Sequence, residues 1–441
     1  MEKKMARPII KILAFILSFG VYTLQAEPLR IDVTEGQIDP MPIAILDFSA
    51  TSPELAAIGQ NVAQVITADL ERSGLFKPLD RASFIQGQND INASIRFADW
   101  RLINAQVLLK GSVSKSQDGR LRFEFRLYDV YTEKQMIGFA ITASLDAWRR
   151  AAHKIADQVY KRVTGDDGYF DTKIVYVGRQ VNKGRRVERI GIMDQDGANH
   201  EWLTNGKDLV LTPRFSPKLD TIAYLNFLNK KPHVYLMKTN TRQNQLLGQF
   251  PGMTYAPRFS GDGNQVVMSY AKLDGTSSIY LMNLHDKTVQ RLTNIPQVID
   301  TSPCFSPDNS KIVFMSDRSG VAQLYVMDLS DMEAKRISFG PGEYTTPIWS
   351  PRGDLIAFTK RHKGVFSLGV MKVDGSEERI ITQGYLIDEP TWSANGRVIM
   401  YTHQERKGPS KLHTIDITGY NERVVETPHE AMGASWSLLI P

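Results

Sequence analysis

Pro303-Cys304-Phe305-Ser306-Pro307 is one copy of a pattern that returns along the second half of the chain. The pattern is proline, a variable residue, an aromatic residue and serine. It stands again at Pro213-Arg214-Phe215-Ser216-Pro217, Pro257-Arg258-Phe259-Ser260-Gly261, Pro347-Ile348-Trp349-Ser350-Pro351 and Pro390-Thr391-Trp392-Ser393-Ala394. Successive copies lie 44, 46, 44 and 43 residues apart, and a degenerate copy, Ala434-Ser435-Trp436-Ser437, follows after another 44. A fixed period of this size marks a repeat architecture.

Working outward from each copy, a short apolar run comes next, at 221–226, 265–270, 311–316, 355–360 and 397–402. A third, alternating segment follows, as in Gln323-Leu324-Tyr325-Val326-Met327-Asp328, and then a turn and a fourth segment ending in Leu-Thr, Ile-Ser or Ile-Thr. Strands run about 5–6 residues and propeller blades carry four of them, so each repeat reads as one blade. The ends of the repeat region complete the count. Residues 173–178 look like a second strand with no first strand before them, and 434–438 look like a first strand with no blade after them. Pairing the two makes a sixth blade and removes two open strand edges.

Upstream, residues 27–165 carry no such period. Residues 43–48 (IAILDF) read as a buried strand. A helix is predicted from Pro53 to about Arg72, with Leu55, Ile58, Val62, Val65, Ile66 and Leu70 on one face, Ser52 as cap and Gly74 as stop. Residues 106–116, 120–130 and 134–143 read as a meander, and 146–163 as a second helix. The expected division is a leader at 1–26, an α/β domain at 27–165 and an all-β six-bladed propeller at 166–441, closed by the C-terminal strand. The run 165–168 (GDDG) is expected to be a hinge.

The leader reading rests on Lys3, Lys4 and Arg7, the apolar run 9–21 and the small residue Ala26. A retained anchor is the alternative, but the apolar run falls short of the ~20 residues that span a bilayer. The leader's four cations and one acid supply three of the chain's five net positive charges. The remaining chain is close to neutral, which argues against nucleic acid as a partner. A lone cysteine, Cys304, excludes an internal disulfide and reads as core filler.

No phosphate loop and no G-x-S-x-G elbow occurs. The sequence ends on the last blade strand, so the hydrolase domain that follows similar propellers in prolyl peptidases is not expected. The eight histidines show no ligand spacing, and neither metal nor cofactor is expected. Asp262, Asp308 and Asp354 read as turn acids; a calcium role for them is the weaker reading. The repeated serines read as turn formers. The segments just before the inner strands, at 209–212, 253–256, 298–301, 344–346, 386–389 and 430–433, should crowd one rim of the ring. Their mix of apolar, aromatic and acidic residues suits a protein interface.

With these features together, the chain resembles the TolB family of the Tol-Pal system of Gram-negative envelopes. The resemblance rests on the leader, on the six repeats, and on Leu70-Glu71-Arg72-Ser73-Gly74-Leu75-Phe76 and Pro78-Leu79-Asp80-Arg81. It departs where blades lack the Asp-Gly turn, as at Lys218-Leu219 and Ala394-Asn395. The resemblance implies a monomeric, non-enzymatic adaptor in the periplasm with no membrane insertion of its own. It implies binding of the lipoprotein Pal through a propeller face and of TolA through the mature N-terminus. Outer-membrane constriction at division and envelope integrity would follow, and colicins can exploit the same surface. The TolA-binding segment would be Glu27, Pro28, Leu29, Arg30, Ile31, Asp32, Val33 and Thr34. The Pal-binding rim would include Met253, Thr254, Tyr255, Ala256, Asp300, Thr301, Tyr344, Thr345 and Asp388. A propeller enzyme, or a scaffold outside Tol-Pal, is the rival reading.

Overall fold

The computed structural model describes residues 39–441, apart from 51, 88–90, 183, 229–230 and 249–252; at 182, 231 and 253–256 it describes backbone alone. The expected leader therefore lies outside the described residues.

The first domain is built where apolar strands meet two amphipathic helices. Strand β1 (Met41–Ile45) leads through β2 (Ser49–Ala50) into α1 (Pro53–Arg72). Ser52 accepts the Leu55 N–H, proline sits in the first turn, and Gly74 takes a φ of 75° just past the end. Strand β3 (Phe76–Pro78) and a short helix α2 (Phe97–Leu102) follow. The meander β4 (Val107–Lys115), β5 (Leu121–Asp129) and β6 (Lys134–Ala143) comes next, then α3 (Trp148–Thr164). The sheet order is β3-β1-β4-β5-β6, with β1 parallel to both its neighbours. Strand β1 is shorter than the run 43–48 suggests. The Leu46 N–H still donates to the Leu109 carbonyl of the neighbouring strand at 3.0 Å, and the Phe48 N–H then donates to the Gly59 carbonyl of α1 at 3.3 Å. Helix α1 approaches so closely that a Cβ on Gly59 would lie 2.2 Å from the Phe48 oxygen. Helix α2 was not expected from the sequence. It exists to bury Trp100, whose indole N–H is taken by Gln86.

The propeller begins with β7 (Lys173–Asn182), β8 (Arg185–Asp194) and β9 (Glu201–Trp202). Five complete four-stranded blades follow, with inner strands Val210–Phe215, Met253–Phe259, Asp300–Phe305, Glu343–Trp349 and Leu386–Trp392. The C-terminal strand Glu430–Trp436 pairs antiparallel with β7 and completes the sixth blade. The repeated serine closes the turn after the inner strand. Ser306 donates its N–H to the Lys311 carbonyl, receives the Lys311 N–H on Oγ at 2.9 Å and bonds Asp308. Ser393 and Asn395 make the same turn in the fifth blade, so the missing Asp-Gly there changes one acceptor and leaves the geometry.

The expected hinge is tied down. Asp166 pairs with Arg352 at 2.8 Å, and the Asp167 carbonyl accepts from Asn395. The buried Asp157 carboxyl of α3 receives the N–H groups of Phe170 and Asp171 at 2.8 and 3.0 Å. Burial pushes Asp157 up to a pKa of about 7, against those two bonds. Tyr169 and Phe170 carry one apolar core from α1 and α3 through to Trp436 and Met400 of the propeller. The two domains therefore share a core and do not swing on a bare linker.

Candidate functional site

Antiparallel pairing decides which loops share a face. The links between second and third strands, and those from one blade to the next, all lie at the end where inner strands begin. The serine turns and the third-to-fourth turns lie at the other end. The first domain grips that other end, through Arg72 to Gln195, Arg149 to Asp196, and Asn421 to the Arg72 carbonyl. The rim singled out from the sequence thus faces away from the first domain.

Most of its residues open the inner strands; Leu209, Val298 and Ile299 lie on the links just before them. Each inner strand then carries a bulge, between Leu211 and Arg214, Tyr255 and Arg258, Thr301 and Cys304, Thr345 and Ile348, Asp388 and Thr391, and Met432 and Ser435. Within five of these bulges one residue stands in the left-handed region: Thr212 (46°), Ser302 (53°), Thr346 (44°), Glu389 (52°) and Gly433 (62°). Left-handed backbone costs a non-glycine residue about 1–2 kcal/mol, and here the cost recurs around the ring. A bulge re-aims the side chains around it.

The bulges separate the expected rim residues. Asp300 is 1% exposed and is held by Arg318 at 2.9 Å. Tyr344 is fully buried; its hydroxyl donates to Glu378 at 2.9 Å, and Lys360 lies over its ring. Both belong to the blade interior and not to a contact surface. Thr301, Thr345 and Asp388 are half-buried at the mouth. Asp388 Oδ1 accepts from Thr346 and Thr359 at 3.0 and 3.4 Å. Met253, Thr254, Tyr255 and Ala256 lie in the second blade's inner strand, with side chains outside the description. Glu27 to Thr34, the expected TolA segment, lie outside the described residues altogether.

The same face carries apolar side chains that the sequence reading passed over. Leu228 and Val365 are exposed at strand ends beside the second-to-third links, Leu273 on such a link, and Phe339 and Tyr385 on the links between blades, joining Ile299 of the expected segment 298–301. The available signal was apolar residues inside turns, as in Leu273-Asp274-Gly275 and Gly384-Tyr385. Loops favour small and polar residues, so such side chains at one end of a ring call for a cover.

The channel itself holds charge. Arg214 donates to the Pro213 and Gly433 carbonyls at 2.8 and 3.1 Å, lacing the first blade to the sixth. Burial, with Arg258 beside it, pulls Arg214 down from the usual arginine range. Burial pushes Glu389 up, Arg214 opposes that, and Asp388 adds to it. Cys304 lies in the channel wall at 9% exposure, its thiol directed to the Phe305 carbonyl at 3.5 Å. At the end near the first domain Arg214, Arg258 and Cys304, with Phe259, Trp349 and Trp392, line a cavity of about 310 Å³.

The TolB amino-terminal domain family matches residues 29–136, and the TolB beta propeller domain family matches residues 160–440. The chain belongs to the TolB family. The Tol-Pal system protein TolB of Paramagnetospirillum magneticum is 52% identical over 431 residues, covering 96% of this chain and 95% of that one. The crystal structure of TolB from Acinetobacter baumannii superposes with a TM-score of 0.80 at 24% identity, over 93% of this chain and 100% of that one. A chain of a nidogen/laminin complex, at 7% identity and a TM-score of 0.50 over 61% of this chain, shares the fold alone. The TolB architecture thus accounts for both halves of the molecule: the α/β layer and the ring it grips. Among the described residues no helix is long and apolar enough to cross a membrane.

Proposed function

We propose that this TolB-family chain is a periplasmic, non-enzymatic adaptor of the Tol-Pal system. It binds Pal through the rim face of the propeller and TolA through residues 27–38, and so supports outer-membrane invagination at division. One observation carries the reading: the exposed apolar side chains gather on the face turned away from the first domain. A partner seated there buries Phe339, Leu273 and Tyr385, and aromatic and apolar anchors of this kind dominate interface energetics. Thr301, Thr345 and Asp388 at the mouth supply its polar contacts, with Met253, Thr254, Tyr255 and Ala256 beside them. The N-terminal domain grips the other end and leaves the rim face clear of it. Colicins would compete for the rim. No cofactor or nucleic acid takes part in this role, and the adaptor acts as a monomer.

The test is affinity capture from envelope extract. The full mature chain should retain both Pal and TolA, and a chain lacking 27–38 should retain Pal and lose TolA. Capture of TolA by the shortened chain at wild-type yield would contradict the assignment of that segment, and failure to capture Pal would contradict the adaptor reading.

A further inference from the structure

We infer that His403, His413 and Glu422, on one face of the fifth blade, form a binding site for a divalent transition-metal ion. The sequence spacing conceals it. His403 lies in the strand Val398–Gln404, His413 in Ser410–Asp416, and Glu422 just before Arg423–Val425. Cross-strand pairing sets Tyr401 opposite His413 and His403 opposite Lys411, so the two histidines are diagonal neighbours on the same side. Their rings lie 4.6 Å apart at 68°. One ligand atom from each of His403, His413 and Glu422 falls within 4.8 Å of the other two.

The chemistry of the set is that of a metal centre. Zinc takes imidazole nitrogen and carboxylate oxygen at about 2.0–2.2 Å, and three protein ligands leave a fourth position for water. Two imidazoles and one carboxylate select zinc, copper or nickel over calcium and magnesium, which prefer oxygen. His413 Nδ1 lies 2.9 Å from Glu422 Oε1, so two of the three ligand groups already face one another. The Tyr401 hydroxyl reaches Glu422 Oε1 at 2.6 Å and orients it, the role outer-shell donors play at metal sites.

The site also sits at a joint. Asn421 and Arg423 flank Glu422 and donate to the carbonyls of Arg72 and Glu71, the last turn of α1. A metal that pins Glu422 to two blade strands therefore also holds the segment that grips the first domain.

The experiment is a Zn2+ titration of the untagged mature chain, with Ca2+ and Mg2+ as parallel arms. We expect one saturable Zn2+ per chain and no Ca2+ or Mg2+ uptake at the same concentrations. His403→Ala, His413→Ala and Glu422→Gln should each weaken Zn2+ at least tenfold, whereas His285→Ala, an exposed histidine elsewhere, should leave it unchanged. In the unaltered protein, Zn2+ should also shield His403 and His413 from diethylpyrocarbonate, read by mass spectrometry. That arm stands even if a variant folds poorly. Absence of saturable Zn2+ binding, undiminished affinity in both histidine variants, or no shielding of the two rings would overturn the assignment.

Discussion

His153 Nδ1 lies 2.6 Å from Asp69 Oδ2, joining α3 to α1 directly beneath the propeller. Both side chains are buried. Asp69 is further bonded by Arg72 and by Gln195 of the propeller, so this pair is the centre of the inter-domain polar network. Burial pulls His153 down, but Asp69, with Asp196 and Asp194 behind it, outweighs burial and raises the histidine above its ordinary value.

A histidine with a raised folded-state pKa contributes stability that is complete below its unfolded value of about 6.5 and is lost as pH rises through the folded value. Melting temperatures of the wild type and of His153→Gln should therefore differ most near pH 5–6 and converge in mildly alkaline buffer. Arg72 and Arg149 stay charged throughout and cannot mimic that trend. A gap that stays constant from pH 5 to pH 9 would refute the linkage.

Ring closure should dominate the stability of the propeller. Removing residues 430–441 strips the inner strand from the sixth blade, leaves β7 with an open edge and deletes Trp436, whose indole N–H reaches Thr172 at 2.8 Å. Loss of a buried Trp side chain alone costs about 3–5 kcal/mol. Scanning calorimetry of the shortened chain should show a much lower transition or aggregation; an unchanged transition would mean that the ring does not depend on this strand.

The strained bulges offer a change in the opposite direction. Thr212 is β-branched, has a φ of 46°, and its buried hydroxyl finds no hydrogen-bond partner among the described residues. Gly433 fills the same place in the sixth blade. Thr212→Gly should stabilise the chain by about 1 kcal/mol, the relief of left-handed strain exceeding the added chain entropy. Urea denaturation would measure it, and a loss of stability would show that Thr212 makes contacts worth more than its strain.

These cases show what the sequence discloses. The repeat was legible because the Ser306–Lys311 turn needs the same side chains in each blade, and the missing strand at 173 and the surplus one at 434 could be matched by counting. Helix α1 was legible from its spacing and caps. Asp300 and Tyr344 were misjudged because their burial depends on the bulge that follows, and a one-residue shift exchanges the two sides of a strand. The Asp69–His153–Gln195 network and the His403–His413–Glu422 group escaped because their members meet only across helices, strands and domains. No local period records such meetings.

The central claim is that the rim face binds Pal, and titration calorimetry with purified Pal tests it most directly. The wild type should bind with a one-to-one, saturable isotherm. Thr301→Arg, Thr345→Arg and Phe339→Asp, on that face, should each weaken binding at least tenfold while melting within a few degrees of the wild type. Tyr420→Asp, exposed at the opposite end beside the first domain, should bind as the wild type does. Wild-type affinity in all three rim variants, or loss confined to Tyr420→Asp, would contradict the account.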